Sequence, residues 1–234
     1  MKKAFLAIVV LLTVSFSMQA QKKVEFGKNA DFAFGNKVFA VEPISYLGYG
    51  YHVKSQKMES AQDAFNSEFF INIMELGIRP SRSFMIAIGV DYDLDQYRLD
   101  RNHIWGADAS IQSMSRAGFN KKNYSRLNVH KFAIPLSFEI KAGKSAIRLG
   151  AAGEYNLPAV VKTKGVTADG YTTKSKEKVL GDRYVKQLSY NVFGAISYGG
   201  LGVYARFTPS QVFVGDDAPK VQTFTVGLVL GLGM

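Results

Sequence analysis

The feature of this sequence that most restricts its fold is a period-two alternation of apolar and polar residues in short segments. The segment at the end of the sequence shows it best: apolar side chains occupy every second position from Phe224 to Met234, and threonine and glycine fill most positions between them. A period of two places successive side chains on opposite faces of a β-strand. We therefore predict a strand with hydrocarbon on one face and small or polar groups on the other.

The same alternation recurs upstream and predicts eight strands in all. Apolar residues from Phe84 to Leu94 alternate with Asp91, Asp93 and other small or polar residues, and those from Phe132 to Ile140 alternate with polar or small ones. The predicted strands cover residues 38–54, 65–79, 83–97, 131–141, 146–157, 185–198, 200–209 and 223–234.

The connections between these strands alternate strictly between long and short. The short ones, at 79–82, 142–144 and 198–200, carry turn residues such as Gly143 and Gly199. The long ones cover about 55–64, 98–126, 158–184 and 210–220. An even number of strands with short turns at one end and long loops at the other is typical of a bacterial outer-membrane barrel. We predict an all-β fold, an eight-stranded antiparallel up-and-down transmembrane barrel, with a soluble barrel or sandwich as the alternative.

The N-terminal segment has the pattern of a secretory signal peptide. Lys2 and Lys3 precede an apolar run from Ala4 to Val14, and a small or polar stretch ends at Ala20. We predict three segments: a signal peptide at 1–20, a periplasmic lead or partial lumen plug at 21–37, and the barrel at 38–234. The alternative, an uncleaved anchor helix, is not favoured because the apolar run is shorter than the roughly 20 residues that a span requires.

Composition excludes several classes of protein and site. The chain has no cysteine, which excludes disulfides, thiolate metal sites, thiol nucleophiles and a lipoprotein anchor. With 47% hydrophobic and 13% aromatic residues, it is neither disordered nor a bundle of apolar membrane helices.

Charged residues at inward positions predict a filled lumen. Eight strands enclose a space that side chains just fill, so no open pore is expected. We interpret the inward charges as an ion-pair network with Arg148 and Arg206 as its central cations, because unpaired buried charges are costly. The alternative is a proton or ion path. The predicted network comprises Glu42, Glu75, Asp91, Asp93, Lys131, Glu139, Arg148, Glu154 and Arg206.

Two segments superficially match ligand-binding motifs. Asp91, Asp93 and Asp95 have the spacing of a calcium loop, but Gln96 replaces the turn glycine and Asn102 stands where the bidentate glutamate belongs. The segment 143–145 ends like a phosphate-binding loop but lacks its first glycine. We predict no cofactor and no resident metal, and divalent-cation binding at the aspartates is the alternative.

The three histidines are the candidates for catalysis. His52 and His130 lie near predicted outer strand ends, with Ser125, Asp95 and Asp63 as conceivable partners, and His103 lies in a loop. Lipid-modifying barrels place a histidine with a serine and a carboxylate near the outer rim. No local motif of such enzymes is present, so we predict a non-enzymatic protein.

The long loops are rich in basic residues. The formal net charge of the chain is +10, and both 98–126 and 158–184 carry an excess of lysine and arginine. Such loops would face lipopolysaccharide phosphates at the outer leaflet. Nucleic acid is not the expected partner of an exported chain with dispersed charge. The predicted lipopolysaccharide contacts are Arg98, Arg101, Lys121, Lys122, Lys174, Lys176 and Lys178.

Two segments carry a resemblance to a known family. Residues 131–138 (KFAIPLSF) and 147–153 (IRLGAAG) resemble the apolar-Pro-Leu strand and the small-residue strand of the eight-stranded outer-membrane barrels of Bacteroidetes. The resemblance implies an outer-membrane location and the barrel-assembly machinery as a partner, and one branch of the family serves type IX secretion. Such barrels usually end in an aromatic residue, whereas this sequence ends in Met234.

Together these observations predict a small outer-membrane barrel with a closed polar lumen. Its expected role is structural, or interaction at the cell surface through basic extracellular loops, with outer-membrane lipid and lipopolysaccharide as partners. Membership of a secretion or transport assembly is the first alternative, and a lipid-modifying enzyme is the second.

Overall fold

The computed structural model describes residues 30–34, 37–53, 66–81, 83–100, 103–106, 110–113, 124–166, 172–178, 185–214 and 221–232. The predicted signal peptide and Met234 lie outside these ranges. In the described ranges, no helix has the length and apolar character needed to cross a bilayer.

The regular structure in these ranges is entirely β. Its fourteen strands, in chain order, are β1 (Ala30–Phe34), β2 (Lys37–Pro43), β3 (Leu47–Val53), β4 (Ser67–Ser81), β5 (Phe84–Leu99), β6 (His103–Trp105), β7 (Ile111–Ser113), β8 (Tyr124–Ala142), β9 (Ser145–Asn156), β10 (Val160–Val166), β11 (Thr172–Lys178), β12 (Leu188–Tyr198), β13 (Gly200–Thr208) and β14 (Thr223–Leu232).

Eight of these strands form a closed antiparallel barrel. The order is β3, β4, β5, β8, β9, β12, β13 and β14, and β14 pairs back onto β3 from Phe224↔Val53 to Leu230↔Leu47. The short hairpin turns use Gly143 and Gly199 at positive φ, which glycine adopts without steric cost. The predicted all-β, eight-stranded antiparallel barrel is confirmed.

Both strand prolines lie at local defects of the sheet, as their missing N–H groups predict. The predicted first strand is divided after Pro43, where Ile44 has a φ of 51°, and β4 carries an extra residue opposite, between Asn72 and Met74. Beside Pro135, the β5–β8 pairing is interrupted between Ile88↔Leu136 and Asp91↔Ala133 without a change of register.

The strands are more extensive than the sequence pattern predicted. Residues 30–34 pair with β2 as a hairpin, in a segment expected to be a lead or plug. The intervals 98–126 and 158–184, expected to be loops, contain the outer ends of β5 and β8 together with β6, β7, β10 and β11. In contrast, the strand expected at 185–198 begins only at Leu188. Pairing continues beyond the barrel rim because residues such as Leu127 and Val161 bury a second apolar core there.

The barrel wall has an apolar outer face. On β9, for example, Ile147 and Leu149 are about half exposed, whereas Ala146 and Arg148, which alternate with them, are buried. The exposed apolar positions form a belt around the barrel that includes Ile88, Ile134, Leu136, Phe138, Ile140, Ile147, Leu149, Val192, Ile196, Leu201, Val203, Val226, Leu228 and Leu230. Tyr155, Tyr190 and Tyr198 are exposed near its edges. Hydrocarbon therefore faces outward over most of the wall.

The seam between β3 and β14 depends on glycine. Gly227 pairs with Gly50, and a Cβ on Gly227 would overlap the main chain of Tyr49 and Gly50 and lie 2.7 Å from the Tyr204 ring. The inward rings of Phe70 and Tyr204 occupy the space that side chains on this seam would need. Closure of the barrel thus requires the two backbones to approach without a side chain.

We expect Gly227→Ala to lower the free energy of unfolding by about 2 kcal/mol, because the added methyl forces the seam apart. The matched control is Gly153→Ala, since a Cβ there meets no atom within 4 Å. The measurement is urea unfolding of the refolded protein, followed by electrophoretic mobility. Equal unfolding midpoints for the two variants would contradict the proposed role of the seam.

Candidate functional site

The lumen of the barrel is filled by charged side chains. Among the described residues, seven carboxyl groups and three cations are buried there, each at most 5% exposed. They are Glu68, Glu75, Asp91, Asp93, Asp95, Glu139 and Glu154, with Lys131, Arg148 and Arg206. Each cation lies at the centre of one cluster, so the lumen is divided into three ion-pair groups.

The cluster nearest the short turns is built on Arg148. We call this end of the barrel the inner end and the opposite end the outer end. Its guanidinium donates to Glu75 at 2.5 and 3.0 Å and to Glu139 at 2.6 and 2.9 Å. Glu139 lies directly opposite Arg148 across β8 and β9, whereas Glu75 approaches from β4. Lys141 reaches Glu139 at 3.4 Å from the inner rim. A planar guanidinium with two carboxylates satisfies both charge and hydrogen-bond geometry.

The other two clusters lie nearer the outer end. Arg206 on β13 is 2.7 Å from both Glu68 and Asp93. Lys131 on β8 is 2.7 Å from Asp95 and 3.1 Å from Glu154.

Neutral donors complete the outermost cluster. Glu154 accepts hydrogen bonds from Ser189 at 2.6 Å and Asn191 at 2.7 Å. The burial of these ions is thus compensated by opposite charges and by hydrogen bonds.

An aromatic layer of Tyr46, Phe70 and Tyr204 lies between the Arg148 and Arg206 clusters. The Arg148 guanidinium carbon is 4.9 Å from the Tyr46 ring centre, and that of Arg206 is 4.6 Å from the Phe70 ring centre. Both distances are within the range of cation–π attraction. A cavity of about 20 Å³ beside this layer has room for one water molecule. Aromatic and charged side chains therefore fill the lumen at this level.

Asp91 is the carboxylate held without a cation in this network. It accepts hydrogen bonds from the Tyr46 hydroxyl at 3.1 Å and from Asn72 Nδ2 at 2.7 Å. No ion pair joins it to any cation of the described residues. Both of its donors are neutral, so its burial depends on hydrogen bonds rather than on charge pairing.

The outer mouth of the barrel is covered by a second apolar core, which we call the cap. Trp105 donates its indole N–H to the Tyr97 carbonyl at 2.9 Å, and the Phe213 ring lies 5.4 Å from Trp105 and 5.5 Å from Tyr97. The cap comprises Tyr97, Leu99, Trp105, Leu127, Val129, Ala159, Val161, Val185, Val212, Phe213 and Val221. Connections expected to be basic loops therefore contribute a packed lid.

In the described part of the chain His52 lies near one expected partner, with its Nε2 3.8 Å from Asp95 Oδ1, but Ser125 is bonded elsewhere and does not join them. His52 is 1% exposed, bonds Thr225 through Nδ1 at 2.8 Å and stacks on Tyr97. The Ser125 hydroxyl contacts Thr163 at 2.9 Å and the Trp105 main-chain N–H at 3.0 Å.

His130 and His103 have other partners. His130 contacts the Tyr92 hydroxyl at 2.6 Å, and His103 pairs with Asp100 at 2.7 Å. Asp63 lies outside the described residues.

The structure places the remaining site residues as follows. Glu42 is only partly buried and pairs with Arg79, apart from the three clusters. Arg98, Lys174 and Lys176 lie on strands rather than in loops. Arg101, Lys121 and Lys122 lie outside the described residues, and only the backbone of Lys178 is described.

Several residues of the lumen were not predicted from the sequence. The sequence analysis assigns Glu68 to no site and gives Asp95 only as a possible cation ligand or histidine partner, yet both are buried ion-pair partners. Tyr46 and Tyr97 were not assigned to the lumen or the cap, and both are buried there. The extra residue at Ile73 explains why alternation did not predict Glu68 to point inward, because it changes which face of β4 points inward.

We expect Arg148→Ala to lower the free energy of unfolding by about 3–5 kcal/mol, because it leaves Glu75 and Glu139 buried without their cation. The matched variant is Asp91→Asn, whose amide can still accept from Asn72 and donate to Tyr46, with an expected change of about 1 kcal/mol or less. Urea unfolding of both refolded variants measures the difference. A larger loss in Asp91→Asn would contradict the assignment of Arg148 as a central cation.

We expect Phe213→Ala to open the cap without unfolding the barrel. Trp105 is the single tryptophan of the chain and lies in the cap, so its fluorescence reports on that region alone. Acrylamide should quench Trp105 more strongly in the variant, while electrophoretic mobility of the unheated barrel is unchanged. A matched control is Phe207→Ala on the exposed outer face, which should leave quenching unchanged.

Comparison with known proteins does not place the chain in a family. No protein-family model matches the sequence, and no curated protein matches it significantly. The functional proposals below therefore rest on the residues and geometry described above.

Proposed function

We propose that this protein is a small outer-membrane β-barrel with a closed lumen, which acts as a structural or surface-interaction protein through its outer end. The single observation that carries the proposal is the inverted distribution of side chains: apolar residues outside the barrel and ion pairs inside it. A barrel in water would place its apolar side chains inward instead.

The height of the apolar belt supports a membrane location. On β5 the outward positions from Phe84 to Leu94 are all apolar or aromatic. With a rise of about 3.4 Å per residue and a tilt of about 40°, this run spans roughly 25 Å. That height corresponds to the apolar band of outer-membrane barrels. The resemblance of residues 131–138 to barrels of Bacteroidetes supports the same location.

The closed lumen and the cap favour interaction at the surface over transport. The Arg148, Arg206 and Lys131 clusters fill the barrel, and the cap covers its outer mouth. Nothing larger than a water molecule fits in the described cavity between the clusters. Of the described residues, those on the outside of the cap can consequently meet a partner at the cell surface.

The outer-membrane proposal predicts a heat-modifiable and electrically silent protein. Unheated protein extracted from outer membranes should migrate as a compact band that shifts on boiling, because a closed barrel resists unfolding by detergent. In planar bilayers it should give no conductance above background, with an open porin as the positive control. A protein found only in the soluble fraction would contradict the membrane proposal, and steady conductance would contradict the closed lumen.

The orientation of the barrel is testable because the chain has no cysteine. We expect a membrane-impermeant maleimide to label Ser175→Cys in intact cells, since Ser175 is exposed at the end opposite the short turns. The matched variant Lys144→Cys, in the β8–β9 turn, should react only after the outer membrane is permeabilised. Labelling of Lys144→Cys alone in intact cells would show that the barrel has the opposite orientation.

Two further results would distinguish the alternative functions. A partner crosslinked specifically through Lys144→Cys would favour membership of a secretion or transport assembly over a surface role. Loss of a lipid-modifying activity in His130→Ala would favour an enzyme.

A further inference from the structure

The extended strands above the barrel carry an aligned set of cations on one face. Register places Arg126 of β8 directly opposite Lys162 of β10, and Lys162 directly opposite Lys176 of β11. One step further out, Lys164 lies directly opposite Lys174. Directly opposed residues of antiparallel strands share a face of the sheet. We call this surface the basic face; it comprises Arg98, Arg126, Lys162, Lys164, Lys174 and Lys176, with Arg98 opposite Arg126 on β5.

The cations are held in this arrangement by burial of the opposite side of the same strands. Leu127 and Val161, which alternate with Arg126 and Lys162, are at most 3% exposed in the cap. Lys162 and Lys164 are half-buried, and Lys174 and Lys176 are exposed. The cap thus fixes the strands that carry the charges, so the spacing of the charges is set by the sheet.

The cations of the basic face repel one another, although the guanidinium carbons of Arg98 and Arg126 each lie 5.7 Å from the centre of the Tyr124 ring. Like charges directly opposite each other destabilise a sheet. In the ranges that the structure describes, no carboxylate forms an ion pair with Arg126, Lys162, Lys164, Lys174 or Lys176. An external anion would remove this repulsion.

The position of the basic face relative to the apolar belt indicates what that anion is. Successive positions on the belt side of β8 change from Ile134 and Phe132 through the partly buried His130 and the buried Asn128 to Arg126. Arg126 lies six positions beyond Phe132 on β8, which places the cations about 15 Å above the Phe132 ring after allowance for tilt. The basic face therefore continues the lipid-facing surface into the zone of charged headgroups.

We propose that the basic face binds the phosphate groups of lipopolysaccharide in the outer leaflet around the barrel. This inference rests on the proposed outer-membrane function. Neighbouring cations are separated by about 4.8 Å across strands and about 7 Å along them. Several phosphates or carboxylates of one anionic glycolipid can therefore be contacted together, with charge-assisted hydrogen bonds from the lysines and Arg126.

The test compares two variants that each lose two positive charges. Lys162→Gln with Lys176→Gln removes the centre of the basic face, whereas Lys144→Gln with Lys186→Gln removes two exposed lysines elsewhere. Binding of fluorescently labelled lipopolysaccharide to each refolded protein is measured by anisotropy in neutral detergent. EDTA is present so that divalent cations do not bridge phosphates to carboxylates.

We expect the basic-face variant to bind lipopolysaccharide about tenfold more weakly than the unchanged protein, and the control to bind within about twofold of it. Enzymatically dephosphorylated lipopolysaccharide should bind the unchanged protein as weakly as the phosphorylated lipid binds the basic-face variant. Equal losses in both variants, or no preference for phosphate, would overturn the proposal. Because all variants are first tested for heat-modifiable migration and membrane extraction, failure of the barrel proposal is seen separately from failure of binding.

Discussion

The structure depends on one constraint: a charge inside a closed barrel must find its partner within the barrel. Arg148, Arg206 and Lys131 meet this constraint with carboxylates from neighbouring and distant strands. The pairs join β4, β5, β8, β9 and β13 across the lumen, in addition to the hydrogen bonds of the wall. Because removing one ion leaves its partners buried without a counter-charge, the network specifies register between these five strands, including strands that are not adjacent.

Period-two alternation was sufficient to predict the barrel because every wall strand has hydrocarbon outside and polar groups inside. Where strict alternation holds, as on β9, the inward placement of Arg148 and Glu154 follows directly from the pattern. On β4 the extra residue at Ile73 reverses the pattern midway, so Glu68 and Glu75 both point inward although they are seven positions apart, an odd spacing that would place them on opposite faces of a regular strand. The sign of this reversal in the sequence is Pro43, which pairs with Met74 in the folded sheet. The proline alone does not give the position of the bulge.

The strands beyond the barrel were missed for a different reason. The length and charge of 158–184 are typical of a solvated loop. Within it, however, Lys162 and Lys164 alternate with Val161 and Thr163, which is the pattern of a strand. The cap could not be predicted, because its residues come from segments that approach each other only in the folded chain. Basic residues that look dispersed in the sequence, such as Lys162 and Lys176, are therefore brought onto one surface by the register of the strands.

Closure between β3 and β14 joins the first and last strands of the barrel, which are far apart in the sequence. Contacts of such long range are slow to form, because the entropy of the intervening chain is lost before they are made. The cap draws on both halves of the chain, from Tyr97 and Trp105 to Phe213 and Val221. Because Val212, Phe213 and Val221 belong to the connection between β13 and β14, the cap is complete only when this connection is in place, and a barrel without it would expose a rim of apolar side chains.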